Sequence, residues 1–227
     1  KLMKKAAKMP MLYNNLGLVL QAQNRIDEAV KQLERAVKLD RQYVDAHSNL
    51  GNVYRRAGKF DAAIKSFERA LKLNPAFIQA FGNLGNTYLD MGRLEESEKA
   101  YRDGLDLLPD QPDLYYNLGR ALYEQGRWDD AEESFRKTLS LNHAYPLAHW
   151  NLSHVMLLHG RFREGWLEYE WRWHCPGFTT QIPKFDQPRW DGKDISGKTL
   201  LVYAEQGFGD TIQFVRYLPG LLASGCR

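Results

Sequence analysis

From residue 10 to residue 173 the apolar and polar positions follow a pattern that returns every 34 residues. Asn-Leu-Gly stands at Asn15, Asn49, Asn83 and Asn117, and Asn-Leu-Ser at Asn151. Just ahead of these come Tyr13, His47, Phe81, Tyr115 and His149, and just after them Leu20, Tyr54, Tyr88, Leu122 and Met156. Fixed-period self-similarity of this length marks a repeat array.

Each unit then breaks at a turn residue, Asn24, Gly58, Gly92, Gly126 or Gly160, and resumes with Ile26, Phe60, Leu94, Trp128 or Phe162. Small residues follow at Ala29, Ala63, Ser97 and Ala131, then Leu33, Phe67, Tyr101 and Phe135, then Ala36, Ala70, Gly104 and Thr138. Intervals of four and three place these on one helical face. Asp27, Asp61, Glu95 and Asp129 stand where a second helix begins, and they are expected to cap free amides and oppose the helix dipole. Pro75 and Pro109 end the second helix of two units.

The pattern therefore predicts helical hairpins whose small residues permit close approach and whose large ones fill the groove against the next hairpin. One hairpin could not bury this face alone. The expected organisation is an N-terminal extension over 1–9 and five hairpins over 10–43, 44–77, 78–111, 112–145 and 146–173. A linker over 174–198 and a different segment over 199–227 follow.

The repeated residues resemble the tetratricopeptide signature across 10–173. That resemblance implies a mostly α fold, a right-handed superhelix of five hairpins with each unit's first helix on the concave side. It also places Asn15, Asn49, Asn83, Asn117 and Asn151 on the inner surface, with Asn52 and Asn86 one turn on, and Leu18, Arg120 and His154 interrupting that second row. An amide both donates and accepts, so such a row can hydrogen-bond an extended peptide without reading its sequence. The arrangement resembles the asparagine ladder of O-linked N-acetylglucosamine transferases, which holds acceptor polypeptides. The alternative is that these amides only tie neighbouring helices together. The lysine and arginine of a chaperone-tail carboxylate clamp are missing at Asn14, Ser48, Gln79 and Gly82, which argues against that class of receptor.

The fifth unit's second helix is rich in aromatics, with Trp166, Tyr169, Glu170 and Trp173 on one helical face, and is expected to pack as a cap or bolt. His174 and Cys175 have no second pair nearby, and His154 and His159 fall on different helix faces, so no metal site is expected. Residues 192–199 spell G-x-x-x-x-G-K-T, yet no apolar strand precedes Gly192 and a strand-like run follows Lys198, which rejects a P-loop.

Composition narrows the classes further. A net charge of +3 from 31 basic and 28 acidic residues is too balanced for the one-sided field that nucleic acid demands. Cys175 and Cys226 have no framework spacing, which fits a reducing, cytoplasmic setting. No apolar run approaches a membrane span.

After the linker, Thr199 to Ala204 is strand-like, Glu205 to Asp210 forms a glycine loop, and a helix is expected from about Thr211 to Ala223. Free amides at such a helix start favour an anion, although Asp210 with Gln213 also suffices as a capping-box-like start. The run from Trp190 to Tyr217 resembles the junction between repeats and a glycosyltransferase-like domain in bacterial proteins, and its Gly-x-Gly-Asp turn resembles heptosyltransferase-type GT-B enzymes. That resemblance implies a truncated α/β Rossmann-like fragment. It also implies a donor loop at Gly207 and Gly209, and Asp210 as candidate base.

The leading expectation is thus the substrate-presenting part of a glycosyltransferase. It is catalytically incomplete by itself, has no cofactor in these residues, and belongs to a whole protein using a nucleotide sugar. Its partner is a protein or peptide in the concave groove, or a glycan acceptor. The rival is a non-enzymatic scaffold whose repeats bind extended peptides or a partner protein.

Overall fold

The computed structural model describes residues 9–178, 185–188, 190–203, 212 and 215–227. The chain forms two compact units, 1–171 and 172–227.

The first unit is a run of antiparallel helix pairs. They are α1 (Pro10–Ala22) with α2 (Ile26–Leu39), α3 (Val44–Arg56) with α4 (Phe60–Leu73), and α5 (Ile78–Asp90) with α6 (Leu94–Leu107). Then come α7 (Pro112–Glu124) with α8 (Trp128–Leu141), and α9 (Pro146–Leu158) with α10 (Phe162–Tyr169). The turn inside each pair has one recipe. In the second pair Gly58 takes φ 71°, its N–H bonds to the Arg55 carbonyl at 3.0 Å, and the Lys59 N–H reaches back to Tyr54 at 2.9 Å. This is the left-handed helix ending that glycine adopts most readily. Asn24 fills the same place in the first pair at φ 59°, a conformation asparagine tolerates.

The first helix of each of the first four pairs presses against the second at a residue with no side chain, and Ser153 takes that place in the fifth. A Cβ on Gly51 would lie 2.6 Å from the Phe67 ring, and one on Gly119 would lie 2.6 Å from Phe135. Leu33, Phe67, Tyr101 and Phe135 are all fully buried, as are Ala29, Ala63 and Ala131 beside them. Successive pairs stack through a second stripe: Ala46, Leu50 and Val53, then Leu114, Leu118 and Ala121, then Ala148, Leu152 and Val155 are buried. In the first hairpin the same register is Leu12, Leu16 and Val19, and there it is exposed.

The expected carboxylate caps are corrected. The residues at the N-cap of the second helices are Arg25, Lys59, Arg93 and Arg127, and no side chain caps them. Asp27, Asp61, Glu95 and Asp129 fall inside the first turn, so they act on the dipole alone. The arginines instead fold forward onto the next turn, Arg25 to Glu28 at 2.6 Å and Arg127 to Asp130 at 2.6 Å. Between units, Glu98 receives Arg127 at 2.7 Å. Glu132 receives Arg161, with Arg136 at 2.5 Å.

The last hairpin departs from its predecessors. Its second helix stops at Tyr169 and tightens into a 3-10 turn over Glu170–His174. Trp166, within the regular α-helix, is exposed rather than packed, and beyond the helix end Trp171 lies flat on the His149 ring, centroids 4.0 Å apart at 4°.

In the second unit the Rossmann-like expectation is corrected. Among the described residues there is no strand, and Leu201, Val202 and Tyr203 are exposed. A strand exists only through bonds to neighbours, and here the bonds made are few: Leu200 N–H to the Arg227 carbonyl and Arg227 N–H to the Lys198 carbonyl, both 2.8 Å. Of the helix expected from about Thr211 to Ala223, Ile212 is helical, Val215–Tyr217 forms a 3-10 turn and α11 spans Leu218–Ala223; residues 211, 213 and 214 lie outside the described residues. Pro219 sits in the first turn of α11, where its missing N–H costs nothing.

Candidate functional site

The first helices α1, α3, α5, α7 and α9 each bury one stripe and carry the asparagine rows at its margin. Asn49, Asn83, Asn117 and Asn151 are half-buried and Asn15 is exposed. The rows divide by what their amides already do. Asn49 donates to the Asn14 side-chain oxygen of the previous unit at 2.9 Å, and Asn14 donates to Asn15 at 3.3 Å. Asn151 donates to the Tyr116 hydroxyl at 3.3 Å, again one unit back. Asn86 accepts the Tyr101 hydroxyl at 2.9 Å, and burial pushes that phenol up to about 12.

Asn52, Asn83 and Asn117 stand apart. Each is half-buried and has no side-chain hydrogen-bond partner among the described residues. Two consecutive members of the main row, with one of the second row, thus keep both donor and acceptor available.

Between α7 and α9 the surface opens into a cavity of about 310 Å³ lined by Arg120, Tyr123, Glu124, Trp150, Asn151 and His154, with Phe135 at its floor. The guanidinium carbon of Arg120 lies 5.9 Å from the centre of the Tyr116 ring. His154 is tied through Nδ1 to the Trp150 carbonyl at 2.8 Å, and burial holds its imidazole below the usual histidine range. The Trp150 indole N–H is shielded from solvent and has no acceptor among the described residues.

Sequence reasoning named Arg120 and His154 only as interruptions of an amide row and missed Tyr116 and Trp150. The signal was available in the position before each asparagine. It reads Asn14, Ser48, Gly82, Tyr116, Trp150, so large rings enter only in the last two units, where Trp150 lines the cavity and Tyr116 lies beneath the Arg120 guanidinium.

A second polar cluster sits on the outer end of α9. The buried His149 ring meets the Glu168 carboxylate through Nδ1 and the His143 carbonyl through Nε2 at 2.8 Å. With Trp171 stacked upon it, this cluster fastens the last hairpin and faces no cavity described here. No group of three metal-type ligands occurs among the described residues. No helix there is long and apolar enough to cross a membrane. Gly207, Gly209 and Asp210, the expected donor loop and base, lie outside the described residues.

An array of stacked helical hairpins with a polar row along its first helices defines the class of helical-repeat binding proteins. Family models described as tetratricopeptide repeat match residues 8–76, 54–106 and 83–161; the chain belongs to the tetratricopeptide-repeat family. Among curated proteins it is similar to Protein FlbA of Caulobacter vibrioides, 41% identical over 64 residues, which are 27% of this chain and 10% of that protein. The chain thus matches about a tenth of that relative's length. Among solved structures it is similar to pilF of Pseudomonas aeruginosa, with TM-score 0.65 and 21% identity over 71% of this chain and 74% of that one. A thermophilic repeat protein of Thermus thermophilus gives 0.60 and 23% over 71% and 88%. MamA of Desulfovibrio magneticus gives 0.62 and 17% over 71% and 91%. At these identities the structures establish the fold alone. The matched family residues end at 161, and the glycosyltransferase expectation for the C-terminal segment finds no support in them.

Proposed function

We propose that the chain is a protein-interaction scaffold whose first helices grip an extended polypeptide. The observation that carries this reading is the set of half-buried, unengaged amides at Asn52, Asn83 and Asn117. A helix-bundle surface that served only packing would leave such groups bonded, as Asn49 and Asn86 are, because an unsatisfied polar group in partial burial is costly. Alternating N–H and C=O groups of an extended chain match amides that donate and accept. Each bond contributes about 0.5–1.5 kcal/mol net, which suits a sequence-tolerant grip.

The test is titration of a fluorescein-labelled, uncharged dodecapeptide of Ser, Thr and Ala into the full chain and into the triple variant Asn52→Ala, Asn83→Ala, Asn117→Ala. Binding should weaken by about tenfold or more in the triple variant, as expected from losing three such bonds. Equal affinities for both proteins would assign the amides no ligand role.

A further inference from the structure

The cavity between α7 and α9 does something the amides cannot, because it places a positive charge at one fixed register of the groove. Arg120 occupies the same place in its helix as Asn52 and Asn86 do in theirs. Most arginines of the array that border a turn or a second helix are spoken for: Arg25, Arg93, Arg102, Arg127, Arg136 and Arg161 all pair with carboxylates. Arg120 is half-buried, lines an open cavity, and has no carboxylate or hydrogen-bond acceptor among the described residues. A guanidinium removed in part from water without an acceptor is an incomplete arrangement, since its planar donors are matched to a carboxylate. The wall beside it adds the unsatisfied indole N–H of Trp150. The rings of Tyr123 and Trp150 suit the aliphatic stem of a side chain.

We propose that this cavity receives one acidic side chain, Asp or Glu, of the polypeptide lying along the amides, with Arg120 as its charge partner; the inference rests on the groove reading above. Glu124 sets the limit on that ligand. It is exposed, stands one turn beyond Arg120 at the same cavity, and makes no ion pair among the described residues. A like charge at the mouth repels a run of acidic residues, so the site takes a single carboxylate flanked by neutral residues. The array then reads backbone over α3 to α7 and one charge between α7 and α9.

The test uses the full chain and the same Ser, Thr and Ala dodecapeptide, acetylated and C-terminally amidated. One Glu is moved through every position, beside a matched Gln series. At one register the Glu peptide should bind about five- to tenfold tighter than its Gln partner, the effect of one charge-assisted hydrogen bond. Arg120→Gln should erase that preference, Arg120→Lys should retain part of it, and Glu124→Gln should enlarge it. Equal binding of the Glu and Gln series to the wild-type chain overturns the charge site and leaves the groove standing. A preference that survives in Arg120→Gln overturns the assignment to Arg120. Failure of every peptide to bind removes the groove reading and this inference with it.

Discussion

The side-chain amide of Asn49 donates to the side-chain oxygen of Asn14 across 2.9 Å, joining the first helix of one hairpin to that of the hairpin before. An asparagine at this slot therefore has two uses, cement between units or a free group in the groove, and its neighbour one unit back decides which.

Replacing Asn49 should cost stability, whereas replacing Asn83 should not. Asn49→Ala removes an inter-unit bond and strands the Asn14 acceptor, for a loss of about 1 kcal/mol. Asn83→Ala removes no bond within the array and should stay within about 0.5 kcal/mol of the parent. Urea unfolding followed by far-ultraviolet circular dichroism compares them; equal losses would mean that Asn83 is also cement.

Gly51 is set against Phe67 so closely that a methyl group there would stand 2.6 Å from the ring. Gly51→Ala should cost about 1–3 kcal/mol by forcing the two helices apart, although alanine is the better helix former. The double variant Gly51→Ala, Phe67→Leu should recover part of the loss, read from the urea midpoint. A stabilised single variant would show that the close approach is not required.

Acid should loosen the array in two stages. Burial holds His47 and His154 below the ordinary 6.5, so the unfolded chain takes up their protons first. Their contribution is complete above about 6.5 and shrinks as the pH falls beneath it. For Glu98 and Glu132 burial alone would raise the carboxyl. The cations around them, Arg102 and Arg127 for Glu98 and Arg161 and Arg136 for Glu132, hold both below 4.5 instead. Their share is present above about 4.5 and is lost as the pH drops through the lowered values. Urea midpoints measured from pH 8 to pH 3 should fall gently at first and more steeply below about 4.5. A midpoint that rises on acidification would reverse both assignments.

The hairpins were legible in the sequence because their determinants are local and repeated. Gly51 and Phe67, or Gly119 and Phe135, sit at fixed spacings that only a close helix pair explains. The cavity was not legible, because its walls come from different units, Arg120 and Tyr123 from α7 and Trp150 and His154 from α9, across a gap that no spacing within one unit encodes. The end of the array was misread for a related reason. Regular α-helical spacing puts Trp166 on the packed face, where it is exposed, and the 3-10 turn from Glu170, at three residues per turn, brings Trp171 onto His149, a contact that spacing does not predict. The strand expected at Thr199–Ala204 rested on apolar residues alone, and apolarity cannot substitute for a neighbour to bond.

The uncovered flank of α1 has a consequence for how the array comes apart. Among the described residues Leu12, Leu16 and Val19 are exposed, while their counterparts in later hairpins are sealed, so within 9–171 the hairpin of α1 and α2 packs on one neighbour and each of the next three on two. In a chain whose cohesion is a sum over adjacent pairs, such an edge is the weak end of a zip. Within the described hairpins the amides of α1 and α2 should exchange their hydrogens for deuterium sooner than those of α4 to α7.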